Sequence, residues 1–428
     1  MNKTVAFHTL GCKLNYSETS ALSRMLEVEG FVKKDFDENA DVYVINTCSV
    51  TDNADKECRQ IVRKIQRRAP EAMVVVTGCY AQLKPEQIAS IEGVDLVLGA
   101  AEKFNIAKHL KEIAEGPADR GGAKICSCDI DEVSGFHSSF SVSDRTRTFL
   151  KVQDGCDYNC SFCTIPLARG HSRSDSIDGV LANINELAEA GVKEIVLTGI
   201  NLGDFGKGAD GGKTKEVTFF DLVKAIDASA APGVERFRIS SIEPNLLTDE
   251  IIEFVATSGR FMPHFHIPLQ SGNNHILGQM RRRYKRELYA DRVALIKKLM
   301  PHCCIGADVI VGFPGETDAE FQDTFEFLHS LDVSYLHVFT YSERTDTLAA
   351  EMAGVVRMNV RNERNKILRN LSYQKMQYFT EQHRGQVRPV LFEHAEKGGM
   401  MEGYTDNYIR VQVPYSPEHT NKIIDWII

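Results

Sequence analysis

The chain has 428 residues, of which 43% are hydrophobic and 25% are charged, the composition of a water-soluble globular protein with two or three domains. No apolar run approaches the roughly 20 residues of a membrane span, and the N-terminus lacks a signal-peptide layout, so we expect no membrane partner. The net charge of −9 gives no overall sign of nucleic-acid binding. The 11 cysteines are dispersed and odd in number, which predicts a cytoplasmic protein whose thiols bind metal.

Residues 1–115 alternate strand-like and helix-like segments. The apolar runs of strand length are Val5–Leu10, Val42–Asn46, Met73–Thr77 and Val94–Leu98. The helix-like segments are Ser17–Glu29, Ala54–Arg68, Pro85–Ile91 and Phe104–Ile113. Near-continuous apolar strands alternating with helices predict an N-terminal doubly wound parallel sheet that is covered on both faces.

Three cysteines of this domain, Cys12, Cys48 and Cys79, each lie at or just beyond the C-terminal end of a predicted strand. In a doubly wound sheet those strand ends share one rim, where ligands bind. We therefore expect the three thiols to converge on one metal site. Gly11 and Gly78 precede two of them and relieve crowding where the backbone approaches a cluster. The alternative is three buried cysteines with no shared ligand.

Residues 116–144 are rich in Gly, Ser and Asp and are predicted to be a linker. From 145 to 375 the alternation resumes. The predicted strands are Phe149–Gln153, Glu194–Thr198, Arg236–Ser240, His264–Pro268, Ala307–Val311 and Tyr335–Thr340, with helices such as Ser176–Ala190, Leu288–Leu299 and Ala319–Leu331. Six such units predict a partial (β/α)6 barrel with its chemistry at the C-terminal strand ends.

The first predicted barrel strand is followed by Cys156, Cys160 and Cys163 in a Cys-x3-Cys-x2-Cys spacing. A 4Fe–4S cluster takes four thiolates, so a loop with three leaves one iron open. An open iron is what reductive cleavage of S-adenosylmethionine (SAM) requires. A zinc site is the alternative, and it needs a fourth ligand, for which His171 is the nearby candidate.

The C-terminal residues 376–428 follow the charged helical segment Asn359–Gln382 and contain short alternating strands, Val387–Glu393 and Tyr408–Val413. They predict a small β-barrel. Candidate base-stacking and phosphate-contacting residues there are Phe392, Tyr404, Tyr408, Arg388 and Arg410. Basic charge is also concentrated in 281–286 and along one predicted helix, at Lys56, Arg59, Arg63, Lys64, Arg67 and Arg68. Such runs hold a phosphate backbone in some proteins and are solvated helix faces in most.

Over nearly its full length the sequence resembles the methylthiotransferase family of radical-SAM enzymes. The two cysteine sets carry the resemblance, together with Thr164-Ile165-Pro166, the stretch 266–272 (HIPLQSG), the stretch 308–317 (DVIVGFPGET) and Tyr341-Ser342-Glu343-Arg344-Thr345. The C-terminal barrel resembles a TRAM domain, an RNA-binding module.

The resemblance implies two 4Fe–4S clusters, with Cys156, Cys160 and Cys163 on the radical-generating one and Cys12, Cys48 and Cys79 on the auxiliary one. One SAM then supplies a methyl group and a second supplies a 5′-deoxyadenosyl radical, the reagent that an unactivated adenine C2–H bond requires. The implied partners are a tRNA substrate, a one-electron reductant such as flavodoxin or ferredoxin, and sulfide or another sulfur source. Candidate SAM-binding residues are Asn201, Ser240, Ser241, Glu243, Gly312, Gly315, Arg173 and Gln270.

The opening motif from Thr9 to Thr19 resembles the branch that modifies C2 of N6-threonylcarbamoyladenosine beside the anticodon. The isopentenyladenosine branch usually has Gln-Met where Lys13-Leu14 stand. That branch, and the branch acting on a ribosomal-protein aspartate, are the enzyme alternatives. An iron–sulfur RNA-binding or redox-sensing protein is the alternative outside enzymes, although sensing does not need a SAM barrel.

Overall fold

The structure is a computed structural model that describes residues 3–48, 52–115, 122–133, 135–142, 146–208 and 215–428. Its strands are β1 (Thr4–Thr9), β2 (Val32–Lys34), β3 (Val42–Thr47), β4 (Met73–Gly78), β5 (Leu96–Leu98), β6 (Lys124–Cys126), β7 (Ser139–Phe140), β8 (Arg147–Lys151), β9 (Gln153–Asp154), β10 (Arg173–Ser174), β11 (Glu194–Thr198), β12 (Arg236–Ile239), β13 (His264–His266), β14 (Cys304–Val311), β15 (Tyr335–Thr340), β16 (Val387–Lys397), β17 (Met400–Thr405), β18 (Arg410–Pro414) and β19 (Ile423–Ile427). Its α-helices are α1 (Lys13–Val28), α2 (Asp52–Arg68), α3 (Cys79–Leu83), α4 (Pro85–Ala89), α5 (Ile106–Glu115), α6 (Ile165–Arg169), α7 (Ile177–Glu189), α8 (Phe219–Ala228), α9 (Asp249–Thr257), α10 (Asn274–Gln279), α11 (Arg286–Leu299), α12 (Asp318–Ser330) and α13 (Met358–Glu381). None of the helices within these ranges has the length and apolar character that crossing a bilayer requires.

The N-terminal sheet has parallel strands in the order β2-β1-β3-β4-β5-β6. The strands β3, β4 and β5 are buried on both faces, because alternate side chains enter two separate cores. One core contains Tyr43 and Ile45 with Val62 of α2, and the other contains Val44 with Leu22 of α1. Helices therefore cover both faces, and the strand order reverses between β1 and β3, where ligands bind in such sheets.

The interval 116–144, predicted as a linker, contributes two short strands. Lys124–Cys126 pairs in parallel with β5 as the sixth strand of the N-terminal sheet. Ser139–Phe140 pairs antiparallel with β8 of the next sheet. Arg24 of α1 donates a hydrogen bond of 2.9 Å to the Phe140 carbonyl. The described parts of this interval thus connect the two domains through strand pairing, which a polar sequence without periodicity does not reveal.

The central region has parallel strands in two adjoining sheets, β8-β11-β12 and β13-β14-β15. A parallel bridge between Ser241 and His266 joins the two sheets. Outward-facing residues of these strands share one large core with helices α7, α8, α9, α11 and α13. The inner faces carry many polar side chains, and the carboxyl ends of the strands lie beside the second cysteine set.

The C-terminal residues form an antiparallel sheet in the order β18-β17-β16-β19, around a small core that includes Phe392. This sheet packs beneath the amino ends of the central strands. Arg238 donates hydrogen bonds of 2.8 Å to the carbonyls of both Thr405 and Asp406. Arg147 Nε lies 2.9 Å from Glu393. These guanidinium contacts fix the sheet to the base of the barrel.

Candidate functional site

The first cysteine set lies on the rim at which β1, β3 and β4 end. Cys12 caps the start of α1 and is exposed, whereas Cys48 and Cys79 are buried. A Cβ atom built on Gly11 would lie 2.8 Å from Cys48 Sγ, and Gly11 has a φ of +95°. Only glycine allows this close approach without strain. The segments that carry Cys12 and Cys48 are therefore in direct contact, as the strand-end prediction requires.

Asn15 joins this rim to the rest of the molecule. Its Nδ2 donates to the carbonyls of Leu10 and Thr47, at 2.8 and 2.9 Å, and its Oδ1 accepts from Arg169 at 2.6 Å. The side chain thus ties the ends of β1 and β3 to a residue of the central domain. Arg169 lies on α6, directly after the second cysteine set.

A buried network of charged residues lies beside Cys79, between the two domains. Glu18 contacts Lys103 at 2.6 Å, Arg169 at 3.1 Å and Lys151 at 3.2 Å. Asp154 contacts Arg169 at 2.9 Å and Lys151 at 3.3 Å. Burial opposes ionisation of Glu18, but the nearby cations outweigh it and hold the pKa of this carboxyl well below its ordinary value.

The network contains more cations than carboxylates. Its cations are Lys103, Lys151, Arg169 and Arg173, and its carboxylates are Glu18 and Asp154. An excess of buried positive charge favours an anion close by. An iron–sulfur cluster with thiolate ligands is such an anion. Burial raises the pKa of the Cys79 thiol, so metal binding there must displace its proton. The donor set and the surrounding charge both fit an auxiliary cluster.

The second cysteine set lies in the loop between β9 and α6, close to the ends of the central strands. The loop is fixed at Ser161, which donates to the Gln279 carbonyl at 2.8 Å and accepts from the Ala349 amide at 2.8 Å. Burial raises the pKa of both Cys156 and Cys163 to about 12. His171 is mostly exposed and hydrogen-bonds Asp157 at 3.1 Å, so it does not complete a zinc site.

Arg282 connects this loop to the end of the third central strand. Its NH1 lies 3.1 Å from Cys160 Sγ, and its NH2 forms an ion pair with Glu243. The basic run 281–286 is therefore divided: Arg281 is exposed, whereas the Arg282 side chain is only 4% exposed. Arg283 stacks over Tyr158 with 3.9 Å between its Cζ and the ring centroid. A run for which the sequence left open either RNA contact or a solvated helix face thus shapes the cysteine loop in part.

One candidate SAM-binding residue beside the central strands, Asn201, has unpaired polar atoms. Asn201 is 2% exposed, and neither polar atom of its amide has a hydrogen-bond partner in the described residues. Buried polar atoms are nearly always paired, so a polar ligand at this position fits. Ser240 and Ser241 follow β12, with Ser240 buried. Glu243 is oriented by Arg282 beside the loop.

The other candidate SAM-binding residues, Gly312, Gly315 and Gln270, differ in which protein groups lie beside them. The space beside Gly312 is taken by Arg361 of α13, whereas a Cβ on Gly315 would meet the Gln279 side chain at 3.5 Å. The close approach at Gly312 is therefore made by protein. Gln270 has a φ of +67°, uncommon for a residue other than glycine, and its backbone pairs with Asp308 and Ile310 at the strand ends.

Arg173 belongs to the network beside Cys79. Its NH1 donates to the Arg169 carbonyl at 2.6 Å, and its NH2 lies 3.5 Å from Asp154. The structure thus places it near the auxiliary cysteines, and its guanidinium is committed to α6 and Asp154. Its sequence position after Cys163 did not distinguish the two cysteine sites.

A row of polar residues lines the inner face of β13, β14 and β15. Asp308 Oδ1 lies 2.9 Å from His266 Nε2 and 3.3 Å from His337 Nδ1. Burial opposes its ionisation, but the hydrogen bonds from both histidines outweigh burial and keep the pKa of Asp308 well below its ordinary value. These three side chains have metal-ligand chemistry, within 4.8 Å of one another. They already satisfy one another, so no ion is called for.

The aromatic residues named as candidates for base stacking are mostly engaged within the protein. Phe392 is fully buried in the core of the C-terminal sheet, so it offers no stacking surface. Tyr408 stacks on His264 with 4.1 Å between ring centroids, and Tyr404 lies under Arg147. Arg388 and Arg410 pair with Asp406 and Glu402. These aromatic residues build the junction with the barrel.

Residues with buried charge were missed by the sequence analysis. They are Glu18, Lys103, Lys151, Asp154 and Arg169. The burial of Glu18 could have been predicted from sequence, because Glu18 lies on the face of α1 that also carries Leu22 and Leu26, both fully buried. A carboxylate on the apolar face of an amphipathic helix needs a buried partner.

Two parts of the chain match known protein families. Residues 4–99 match the family described as "Uncharacterized protein family UPF0004", and residues 150–328 match the radical SAM superfamily. The chain is 42% identical to the threonylcarbamoyladenosine tRNA methylthiotransferase MtaB of Bacillus subtilis, over 98% of this chain and 92% of that protein. It is 32% identical to a tRNA-2-methylthio-N(6)-dimethylallyladenosine synthase of Clostridium botulinum, over 91% of this chain and 86% of that protein.

Among solved structures, the radical S-adenosylmethionine methyltransferase TsrM from Kitasatospora setae, with cobalamin and a [4Fe-4S] cluster bound, has a TM-score of 0.59. The match covers 82% of this chain and 77% of that chain, at 15% identity. At that identity the likeness supports a shared α/β fold with parallel sheets and nothing about the ligands.

Proposed function

The chain belongs to the methylthiotransferase family of radical-SAM enzymes, and from this membership we propose that it inserts a methylthio group at C2 of N6-threonylcarbamoyladenosine in tRNA. The observation that carries the substrate assignment is the 42% identity, over 98% of the chain, to a relative named for that activity. The two separate cysteine sets, one on each domain, fit a reaction that both makes a radical and supplies sulfur.

The cofactors are two 4Fe–4S clusters and SAM. We propose that Cys156, Cys160 and Cys163 hold one cluster and that Cys12, Cys48 and Cys79 hold the other. With three thiolates each, both sets leave one iron position for another ligand. When bound, these groups supply reductive cleavage of SAM, methyl transfer and the sulfur to be inserted.

The protein's own residues orient the reactants. Arg282 and Glu243 fix the loop that carries Cys160. Asn201, Ser240, Ser241, Gly315 and Gln270 are the proposed SAM-facing residues at the strand ends, and the unpaired amide of Asn201 is the best-supported of them. Arg173 and Gly312 are proposed to support the SAM site indirectly, because Arg173 contacts Asp154 and Gly312 lies against Arg361.

The enzyme requires a tRNA substrate and a source of single electrons. We propose flavodoxin or ferredoxin as that source, and sulfide or another sulfur compound to restore the inserted atom. The N-terminal sheet is proposed as a doubly wound domain, the central strands as a partial (β/α)6 barrel and the C-terminal sheet as a TRAM-like RNA-binding module. Thiolate ligands and a tRNA substrate both suit a cytoplasmic location.

Mass spectrometry of tRNA nucleosides tests the proposed function. In a strain that lacks the gene and any redundant enzyme, we expect loss of 2-methylthio-N6-threonylcarbamoyladenosine, and return of it with the intact gene. Persistence of that nucleoside would overturn the substrate assignment. Loss of the methylthio isopentenyladenosine nucleoside in its place would assign the other branch.

The division of labour between the two cysteine sets gives a prediction of its own. Replacing Cys12, Cys48 and Cys79 by Ala is expected to lower the iron content after anaerobic reconstitution from about eight to about four per chain, since one of two four-iron clusters is lost. Methylthio insertion is expected to stop, while 5′-deoxyadenosine still forms from SAM. Loss of both products would contradict separate roles for the two sets.

A further inference from the structure

A cavity of about 250 Å³ lies between the N-terminal domain and the inner face of the central strands. Arg147, which begins β8, and Ser240, which follows β12, both line it, so the cavity extends along the length of the barrel wall. Cys12 and Lys13 form the wall on the other side. The cavity therefore adjoins the auxiliary cysteines directly and is available to a group attached to the reacting ring.

The two arginines of the cavity are held in place by other contacts. Arg238 uses its guanidinium on Glu194, at 2.7 and 3.1 Å, and on backbone carbonyls of the C-terminal sheet. Arg147 Nε binds Glu393 at 2.9 Å, and its Cζ lies 3.9 Å from the centre of the Tyr404 ring. These contacts fix positive charge along the cavity without adding an anion to its interior.

Lys13 faces this cavity without a partner. Its ammonium group makes no hydrogen bond or ion pair within the described ranges, whereas Lys103 and Lys151 of the neighbouring network contact carboxylates at 2.6 and 3.2 Å. Asp308, a nearby carboxylate, is occupied by two histidines. Lys13 is solvent-exposed, and the described residues that line the cavity include Lys13, Arg147 and Arg238 but no carboxylate. The positive charge of this lining favours an anionic occupant.

His264 supplies a second unpaired group. Its side chain is buried with 5% exposure, its Nε2 lies 3.1 Å from the Tyr335 hydroxyl, and its Nδ1 has no partner in the part of the chain that the structure describes. Tyr408 stacks against the ring and fixes its plane. An occupant with a hydroxyl group as well as a negative charge would satisfy Nδ1 in either tautomer.

We propose that this cavity binds the threonylcarbamoyl group of the substrate adenosine, with Lys13 contacting its carboxylate and His264 a polar atom of its threonine moiety. The inference rests on the proposed function and assigns its substrate-recognition site. Threonylcarbamoyl carries a carboxylate and a hydroxyl, whereas dimethylallyl is a hydrocarbon. A hydrocarbon would leave Lys13 and His264 unpaired, and a site built for polar groups rejects analogues that lack them.

The test compares two anticodon stem-loop RNAs of one sequence. One carries N6-threonylcarbamoyladenosine and the other carries its methyl ester, which lacks the negative charge. Binding to the reconstituted full-length enzyme is measured by fluorescence anisotropy. We expect the wild type to prefer the free acid. Lys13→Met is expected to lower affinity for the free acid by about 10-fold, as a lost charge-assisted hydrogen bond does, with affinity for the ester unchanged. Lys13→Arg is expected to keep the preference.

Lys108→Met is the matched control, because the Lys108 side chain lies on α5 and is 72% exposed. It should leave both affinities unchanged. An equal loss of affinity for both RNAs in Lys13→Met would overturn the proposal and assign Lys13 to an RNA phosphate. An equal loss accompanied by reduced iron content would overturn it and assign Lys13 to the cluster.

The failure of this inference is distinguishable from failure of the proposed function. If the wild type modifies the threonylcarbamoyl RNA and Lys13→Met keeps the full preference for the free acid, the inference alone is wrong. If the wild type modifies only a dimethylallyl RNA, the proposed function is wrong, and the inference falls with it.

Discussion

Each cysteine site has one arginine that joins its thiol-bearing segment to a carboxylate. Arg282 contacts Cys160 at 3.1 Å and pairs with Glu243. Arg169 contacts Glu18 and Asp154 beside Cys79. A planar guanidinium with several N–H groups can hold two acceptors at once, which a lysine ammonium on a flexible chain does less well. These two residues set the positions of the segments that the cysteines occupy.

Arg282→Lys is expected to weaken SAM cleavage while the fold is kept. Lysine keeps the positive charge but cannot contact Cys160 and Glu243 in one fixed geometry, so the loop loses its orientation. A small displacement of this kind costs on the order of 10²-fold in rate. Formation of 5′-deoxyadenosine by the reconstituted protein measures the effect.

Arg281→Lys is the control for this prediction, because Arg281 is the exposed neighbour in the same basic run. It is expected to leave SAM cleavage unchanged. Equal activities of the two variants would show that Arg282 does not organise the loop.

The positions of the cysteines, at strand ends and in one loop, were predictable from sequence, whereas the burial of most charged residues around them was not. Cys156, Cys160 and Cys163 are close in sequence, and Cys12, Cys48 and Cys79 each follow a recognisable strand. In the sequence, Arg169 and Asp154 cannot be told from ordinary exposed charged residues. They form buried ion pairs because the N-terminal domain covers them, and a sequence does not show which charges another domain will bury.

The turn after β1 is the element on which the auxiliary site depends. Gly11 at φ +95° leads from β1 to α1, and its missing side chain leaves the space that Cys48 fills. Gly78, at φ +98°, makes the corresponding turn after β4 against the backbone of Thr47. Two glycines thus allow three strand ends to approach one another closely.

Gly11→Ala is expected to disrupt this rim. A positive φ costs alanine roughly 1 kcal/mol, and overlap with Cys48 adds on the order of 1–3 kcal/mol. We expect a lower melting temperature and, after reconstitution, about four irons per chain in place of about eight.

Gly30→Ala separates the two effects. Gly30 also has a positive φ, of +88°, but a Cβ there meets nothing within 4 Å. The Gly30→Ala variant should lose only the roughly 1 kcal/mol that a positive φ costs alanine, and it should keep about eight irons per chain. Iron loss in Gly30→Ala as large as in Gly11→Ala would mean that general destabilisation, not the contact with Cys48, empties the site.

The long buried strands of the parallel sheets follow from continuous apolar runs, and β3, β4 and β11 lie where the sequence predicts them. The two exposed edge strands were not predicted. Lys124–Cys126 and Val32–Lys34 have three mostly exposed residues each and occupy sheet edges. Their pairing is decided by a neighbouring strand, since they lack the apolar run that identifies the equally short β5 and β13.

Across the whole molecule, the Glu18 network joins the N-terminal domain to the central one. Its members come from α1, the segment before α5, β8, β9, α6 and β10. All of them are buried, so the ion pairs are shielded from solvent. Breaking such a network leaves cations without partners, which costs far more than loss of a surface pair.

Glu18→Gln is expected to destabilise the protein by about 3–5 kcal/mol at pH 7, because Lys103, Lys151 and Arg169 lose their shared carboxylate. The pKa of Glu18 is lowered in the folded state, so its contribution is fully present above the unfolded pKa of about 4.3 and is lost as pH falls through the folded pKa. The difference in melting temperature between wild type and variant should be constant from pH 7 to 5 and shrink below about pH 4.

Glu27→Gln, at an exposed position of the same helix, is the control and should change the melting temperature little at any pH. A difference between wild type and Glu18→Gln that persists undiminished at the lowest pH would contradict the assigned ionisation of Glu18.

Arg169 follows Cys163 on α6, and Glu18 follows Cys12 on α1, yet these two residues bind each other across the domain boundary. Neither domain is therefore an independent module for evolution or for protein engineering. A chimera that exchanges residues 4–99 between distant relatives must also exchange the residues at positions 154, 169 and 173. Otherwise the charged residues of the two domains will not pair at the domain boundary. Recombination within the family should therefore preserve α1 and α6 as one inherited unit, although more than 130 residues of chain separate them.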